Sequence, residues 1–250
     1  MKFENTEDFL KCVRNELVPE NPKTGFGVSG LLDYRINASK KINKRHPDSI
    51  YEGYDVKNRR YYGVSITAEY FRDIYKINPF EEGSSDTIFN CWSYLSMFAR
   101  GRLKKRYVSE EDVRENLEYI FDGYETLYTL FNKLADYQHS MANLMPAPVG
   151  FNGSPSHDGK GQYDRDNDMP DLYYKRAVND FPSMYSWINE NMEIYALRFF
   201  KEYISGFYDG EANRAINTEI EIEELKESIE RAIKCIEARA ENLVELVKNP

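Results

Sequence analysis

Apolar side chains recur at intervals of three and four positions over most of the second half of the chain, which is the period of one face of an α-helix. The two most regular runs are Val113–Leu134 and Ile222–Val247. Ser109 precedes the first run and Asp112 follows three residues later, an arrangement typical of a helix N-terminus. Gly123 costs that run about 1 kcal/mol relative to Ala, which so strong a pattern is expected to tolerate. Helices are therefore predicted at about 5–17, 86–103, 109–135, 184–206 and 218–247.

The first third of the chain is less regular. Residues 23–60 are rich in Gly, Asn and Lys, which predicts loops with short extended pieces. Tyr61–Thr67 is rich in aromatic and β-branched residues and is predicted to form a strand. Ser84-Ser85-Asp86 then offers caps for the helix at 86–103. Together these patterns predict a mainly α fold. They indicate a single multi-helix domain over 1–250, with a less regular part at 1–83, a helical core at 84–250 and a minor β element.

A long polar loop, predicted at 146–170, interrupts the helical core. A connection of that length without its own structure is uncommon inside a compact domain and is usually functional or disordered. His139 and Asn143 lie just before it. If the preceding helix continues for one more turn, the two side chains share a face and could meet a ligand or metal. The other hypothesis is that His139 only caps the C-terminus of that helix, where the dipole stabilises a partly charged imidazole.

Carboxylates alternate with other residues near the end of this loop, at Asp164, Asp166 and Asp168. This spacing resembles the start of a calcium-binding EF-hand loop. The sixth position holds Met169 instead of Gly and the twelfth holds Lys175 instead of Glu, so an EF-hand is excluded. Two hypotheses remain. One is a looser divalent-cation site built from these residues and Asp171. The other is a solvated acidic loop that caps the following helix.

Charge and motifs narrow the function classes. The chain has 250 residues and a formal net charge of -9, which argues against a broad nucleic-acid footprint. Two basic segments, Arg35–Arg60 and Arg100–Arg106, could still hold nucleic acid, or they could be solvated faces. The nucleophile-elbow, phosphate-loop, dinucleotide-binding and zinc-protease motifs are absent from the sequence, which lowers the expectation for those enzymes.

The compartment and assembly are predicted from simpler features. Cys12, Cys91 and Cys235 are far apart and odd in number, which favours small buried thiols over a disulfide framework. Acidic residues stand near the start of the chain where a signal peptide needs an apolar core, and no window is long and apolar enough to span a membrane. A cytoplasmic location is predicted. The apolar seam of 218–247 could pack within its own domain or form a homodimer.

Several points of the chain resemble a family of uncharacterised bacterial proteins with the pattern H-T-x-G-N-(F/L)-x-P…F-N…D-L. The matching residues here begin with His139, Asn143 and Pro146, and continue with Asn152 and Asp171. The sequence departs from the pattern at Ser140 and Ala142. The resemblance implies a bacterial protein, and it carries no established activity.

A weaker resemblance connects Asn143 and Asn152 to the G-N-L…L-N elements of HNH-type nucleases. Such enzymes use a His general base beside a divalent metal, and a water molecule attacks the phosphodiester. The resemblance implies His139 as that base, although Gln138 stands where those nucleases carry a second His.

Two functions are therefore predicted. The first is a bacterial cytosolic ligand- or partner-binding helical domain whose site is the 139–171 loop, with ligand contacts from Asn143, Asn152 and Asp171. The alternative is a metal-dependent phosphodiesterase or nuclease, of the kind used in phage defence. In that alternative His139 is catalytic and Asp164, Asp166 and Asp168 hold a divalent cation.

Overall fold

The structure is a computed structural model that describes residues 3–11, 27–40, 53–55, 60–62, 83–148, 182–191 and 215–249. The described part is mainly α, as predicted. Its helices are α1 (Thr6–Leu10), α2 (Gly27–Lys40), α3 (Cys91–Leu103), α4 (Glu110–Glu115), α5 (Leu117–Phe121), α6 (Glu125–Tyr137), α7 (Pro182–Asn191) and α8 (Glu219–Lys248), with a 3₁₀ turn at Met141–Asn143. Its strands are β1 (Gly53–Asp55), β2 (Arg60–Tyr62), β3 (Gly83–Thr87) and β4 (Leu144–Pro148).

Helix α3 lies at the centre of the core. Every residue from Cys91 to Arg100 is buried, so this helix has no solvated face along that stretch. A helix buried on all sides belongs in the interior of a fold. The predicted start at residue 86 is wrong, because Ser84, Ser85 and Asp86 belong to β3. The helix begins after Asn90, whose side chain accepts a hydrogen bond from the Trp92 amide.

The single helix predicted at 109–135 is three helices, α4, α5 and α6. The capping box of Ser109 and Asp112 is confirmed at the start of α4. Gly123 adopts a left-handed conformation with φ of 79°, which ends the helical path between α5 and α6. Glycine tolerates that conformation because it has no Cβ. The expectation that the pattern would carry the helix through Gly123 is therefore wrong.

Helix α2 lies in a stretch predicted to be loops and short extended pieces, so that prediction is wrong for 27–40. The sequence analysis identified no cap for this helix. Its first amide groups are bound by α6: Gly27 N donates to Asp136 Oδ1 at 2.8 Å and Val28 N donates to Asn132 Oδ1 at 2.9 Å. Leu31 and other apolar side chains of α2 are then buried in the core. Tertiary contacts replace the local signal here.

Helix α8 confirms the prediction at 218–247 within a residue at each end, and Thr218 forms a capping box with Glu221. Tyr124 Oη donates to Glu219 Oε1 at 2.9 Å, and Tyr137 Oη donates to Glu237 Oε1 at 3.1 Å. The first bond joins the beginning of α6 to the beginning of α8, and the second joins the end of α6 to a point farther along α8. The two helices therefore run in the same direction. The apolar seam of α8 is buried in the core, so it packs within the protein, which was the first of the two hypotheses. The buried seam consists of Ile222, Leu225, Ile229, Ala232, Ile233, Ile236, Ala240, Leu243 and Val244.

The β content consists of two antiparallel pairs in the described residues, β1 with β2 and β3 with β4. Strand β2 contains the first two residues of the strand predicted at 61–67, and residues 63–67 lie outside the described part. Strand β4 contains residues 146–148, so the loop predicted at 146–170 is wrong for these three residues, and 149–170 lie outside the described part. Pro146 and Pro148 occupy alternate positions of β4 opposite Ser85 and Gly83. Proline has no N–H, and alternate residues of a strand direct this group to the same edge. The outer edge of β4 therefore lacks donors at both positions.

Two further predictions concern the chain ends. Helix α1 begins at Thr6 after an Asn5 cap, as predicted, but it ends at Leu10 and not near residue 17, because Lys11 is extended with ψ of 145°. Residues 12–17 lie outside the described part. Helix α7 begins at Pro182, two residues before the predicted helix at 184–206, and residues 192–206 are likewise not described. Proline suits a first helical position because its missing N–H would have no partner there.

Candidate functional site

A buried polar turn, Gln138–Asn143, connects α6 to β4 and leads into the segment that the sequence singles out. Gln138, His139, Ser140 and Asn143 are each at most 3% exposed. Such a concentration of polar side chains inside a core requires hydrogen-bond partners, because desolvation without them is costly.

Gln138 supplies a distant cap for α3. Its Oε1 accepts a hydrogen bond from Cys91 N at 2.9 Å, and Asn90 Oδ1 accepts one from Trp92 N at 3.0 Å. Two of the amide groups that a helix leaves without partners at its N-terminus are thus bound. The side chain of Gln138 therefore fixes the buried polar turn against the central helix.

Asn143 is fully buried and binds the backbone on both sides of the turn. Its Oδ1 accepts from Phe89 N at 2.9 Å, and its Nδ2 donates to Phe89 O at 2.9 Å and to Gln138 O at 3.0 Å. Its backbone carbonyl also accepts from Ile88 N at 2.8 Å. Both amide donors are occupied, so only a remaining lone pair of Oδ1 is left for a ligand. The contacts make Asn143 chiefly a support for the turn.

His139 is 3% exposed and packs edge-to-face on Tyr34, with 5.6 Å between ring centroids and 83° between the planes. Helix α6 ends at Tyr137 and its C-cap residue is Gln138. The helix does not continue to Asn143, so the hypothesis of a shared helix face is wrong. His139 lies one residue beyond the C-cap, and its capping of the helix dipole stays a prediction. The Tyr34 contact orients the imidazole inside the fold.

Arg239 is a residue of this region that the sequence interpretation missed. It comes from α8, is 1% exposed, and donates from Nη2 to Leu144 O at 3.1 Å. The signal was present in the spacing, because Arg239 falls three residues after Ile236 and four before Leu243 on the apolar face of α8. A charged residue on such a face is unusual enough to mark a position of interest.

Two other titratable groups near the turn are perturbed by burial. Burial, together with the neighbouring Glu237 carboxylate, raises the pKa of Tyr137 to about 12. Lys133 Nζ lies 2.7 Å from Glu237 Oε1, so this carboxylate is shared by a phenol and an ammonium group. Burial also raises the pKa of the Cys91 thiol, which contacts the Phe131 carbonyl at 3.7 Å. A buried thiol of this kind is not a nucleophile at neutral pH.

The predicted metal ligands Asp164, Asp166 and Asp168 lie outside the described residues, as do Asn152 and Asp171. Within the described ranges, no three His, Cys, Asp or Glu side chains gather in a way that could hold a metal ion. Cys91 and Cys235 are buried, as expected, and neither is in a disulfide among the described residues, while Cys12 is not described.

The basic segments are partly used for internal contacts. Arg35 forms an ion pair with Glu110 at 2.9 Å and its guanidinium lies 5.0 Å from the Trp92 ring centroid. Arg102 Nε donates to Ile120 O at 3.0 Å, and Arg100 is buried. Within the second segment, the exposed residues are Lys104, Lys105 and Arg106, and Lys105 is paired with Asp112. This leaves a smaller exposed basic surface than the sequence suggests for this segment.

Comparison with known proteins adds no identification. No protein-family model matches the chain, and no curated protein or solved structure gives a significant match. In the part of the chain that the structure describes, no helix has both the length and the apolar character needed to cross a membrane.

Proposed function

We propose that this chain is a ligand- or partner-binding helical domain whose site begins at the buried polar turn and extends into residues 144–171. The supporting observation is how firmly the base of that segment is anchored in the core. Asn143 binds Phe89 and Gln138, and β4 pairs with β3 over five residues. An anchored base holds neighbouring side chains in a defined geometry, which lowers the entropy lost on binding.

The chemistry of the region favours a ligand rich in hydrogen-bond acceptors. A guanidinium has donors only, and an imidazole has at least one N–H donor. Arg239 and His139 thus bring hydrogen-bond donors to the buried surroundings of the turn. We therefore expect an anionic or carbonyl-rich ligand, or a partner that presents such groups.

Thermal unfolding with a panel of phosphorylated and carboxylated metabolites, together with hydrogen exchange, tests this proposal. A ligand at 100 times its dissociation constant adds about 2.7 kcal/mol to the stability of the folded state. We expect a ligand to raise the unfolding midpoint of wild type and to slow amide exchange around residues 138–148. His139→Ala should abolish this response, whereas Asn116→Ala, which alters an amide far along the chain from the turn, should retain it. The proposal fails if His139→Ala responds as wild type does to every stabilising compound.

The alternative function is a metal-dependent phosphodiesterase. Of the residues predicted for it, His139 is among the described positions. It is tested by unfolding the chelator-treated protein with Mg²⁺, Mn²⁺, Ca²⁺ or Zn²⁺, next to His139→Ala. A site-specific metal would raise the midpoint by several degrees in wild type and not in the variant. The binding proposal expects no such metal-specific difference. If one metal shows it, the enzyme alternative replaces the proposal and nuclease assays follow.

A further inference from the structure

Arg100 is a buried cation on the central helix α3, and only 3% of it is exposed. No described residue accepts a hydrogen bond from its Nε, and its guanidinium forms no ion pair within the described ranges. Other arginines of the described part have clear partners, namely Arg35 with Glu110, Arg114 with Asp33, and Arg102 with three backbone carbonyls. Arg100 therefore differs from them in being buried without a described acceptor.

Leaving such a group unsatisfied is expensive. A guanidinium stays charged in proteins, so it cannot reduce the cost of burial by losing its proton. Removing a charge from water costs several kcal/mol unless hydrogen bonds and an opposite charge replace the lost hydration. Arg100 is nevertheless buried in this position. Because the described side chains supply no acceptor for its Nε, we expect another group to accept that hydrogen bond.

Two serines share the Arg100 face of α3. Ser96 lies four residues before Arg100 and Ser93 lies seven before it, which are positions one and two turns along the same side of a helix. Each serine is 1% exposed. Long side chains on a helix lean toward its N-terminus, so an arginine at position 100 is directed toward the turn that holds Ser96.

The Ser93 hydroxyl has capacity to donate. Ser93 Oγ has no hydrogen-bond partner among the described residues, while Ser96 Oγ donates to Ser93 O at 3.2 Å. A hydroxyl hydrogen rotates to suit its acceptor, so Ser93 can turn toward a negatively charged oxygen. The guanidinium Nε of Arg100 and the Ser93 hydroxyl, both without a hydrogen-bond partner among the described residues, thus lie on a single buried face.

We propose that Arg100, with Ser93, binds one small oxyanion inside the fold, either a phosphate or a carboxylate group. The guanidinium fork matches two oxygens of such a group, and the Ser93 hydroxyl donates to a remaining one. The guanidinium of this site is distinct from the buried polar turn: Arg100 lies nine residues along α3 from Cys91, about 13 Å of helix length, although Ser93 is only two residues from Cys91. The anion neutralises the buried charge and stabilises the central helix in its place.

The test uses the full chain after refolding from urea in phosphate-free buffer, which releases an anion carried through purification. Its unfolding midpoint is then measured against inorganic phosphate and, separately, succinate, with chloride balancing the ionic strength. We expect a saturable rise with one of the two anions, and the responding arm distinguishes phosphate from carboxylate. Arg100→Met should abolish the rise, while Arg114→Met, which removes an exposed arginine paired with Asp33, should keep it.

Two further measurements cover the case in which Arg100→Met does not fold. Ser93→Ala removes one hydroxyl from a folded protein and should weaken the calorimetric affinity for the responding anion several-fold. Native mass spectrometry of protein that was never denatured should show one added anion per chain. His139→Ala should still bind the anion, so failure of the proposed function is distinguishable from failure of this inference.

Three results would overturn the inference. The first is the absence of a saturable response to both anions in wild type, together with no retained anion in the native mass spectrum. The second is an equal response in wild type and Arg100→Met, which would identify an adventitious ion on the surface only. The third is a higher unfolding midpoint for Arg100→Met than for wild type under every anion condition. The buried guanidinium would then destabilise the fold without binding a ligand.

Discussion

Replacing Asn143 by Ala should destabilise the protein more than its small size suggests. The substitution removes three side-chain hydrogen bonds, two to Phe89 and one to Gln138. All three partner groups are backbone atoms around residues that are 3% exposed or less, so water does not readily replace the lost amide. The loss falls where β3, α3 and the buried polar turn meet.

The magnitude follows from the number of groups left without a partner. Each buried backbone donor or acceptor that loses its hydrogen bond costs about 1–3 kcal/mol, so three such groups cost on the order of 3–6 kcal/mol after partial relaxation. A domain of roughly this size loses about 2–4 °C in its unfolding midpoint per kcal/mol. We therefore expect the unfolding midpoint to fall by about 6–24 °C. The lost free energy is a large share of an ordinary total stability of about 5–15 kcal/mol.

Urea and thermal unfolding, followed by circular dichroism, measure this effect. Asn116→Ala is the matched control, because that amide donates one bond to Asp112 O within its own stretch of helix and is only half-buried. We expect the control to lose about 1 kcal/mol or less. If Asn143→Ala loses no more stability than Asn116→Ala, the buried polar turn does not depend on this amide and the reasoning is refuted.

Three other predictions test separate parts of the fold. Tyr137→Phe should flatten the fall in unfolding free energy between about pH 10 and 12, because burial beside Glu237 raises the phenol pKa to about 12 and the neutral form stabilises the native state below that range; equal pH profiles for variant and wild type would contradict this. Gly101→Ala should destabilise by about 1–3 kcal/mol in urea unfolding, since an added Cβ would collide with the Ile216 carbonyl oxygen. Gly123→Ala meets no neighbour but has φ of 79°, so it should cost about 1 kcal/mol, and Gly123→Asn should cost less because asparagine tolerates that conformation; equal losses for the two variants would remove the backbone explanation.

The sequence predicted the helices that carry their own signals. Thr218 and Ser109 cap α8 and α4 through contacts three residues away, so a local pattern was sufficient to locate both starts. Helix α2 has no such signal, and its N-terminus is bound by Asn132 and Asp136 from α6 more than 100 residues away in the chain. Interactions at that separation cannot be inferred from the pattern of one sequence.

Two errors share a different physical cause, namely residues that suit more than one local structure. Ser84, Ser85 and Asp86 are good helix caps and equally acceptable in a short strand, and pairing with β4 decides between the two. Gly123 would have cost a continuous helix little, but the left-handed conformation here joins α5 to α6 at an angle that lets both bury apolar residues. Where the local propensity of these residues allowed two structures, tertiary packing selected one.

The candidate site shows the same division. His139 and Asn143 were singled out from the sequence, but their roles depend on Tyr34, Phe89 and Gln138, which surround them only after folding. Arg239 and Arg100 were not recognised as buried cations, because a charged residue in a helical pattern is ordinarily solvated. Burial is a property of neighbours, so only the tertiary structure identifies it.

The sequence by itself determined the mainly α class and the long C-terminal helix with its apolar seam, because these follow from periodicity and capping between near neighbours. Only the tertiary structure decided that α3 is buried on all sides, that Asn143 joins the turn to Phe89, and that Arg100 has no described acceptor. These features arise from contacts between distant segments, where the free energy of burying polar groups depends on which partners the fold brings within hydrogen-bonding distance.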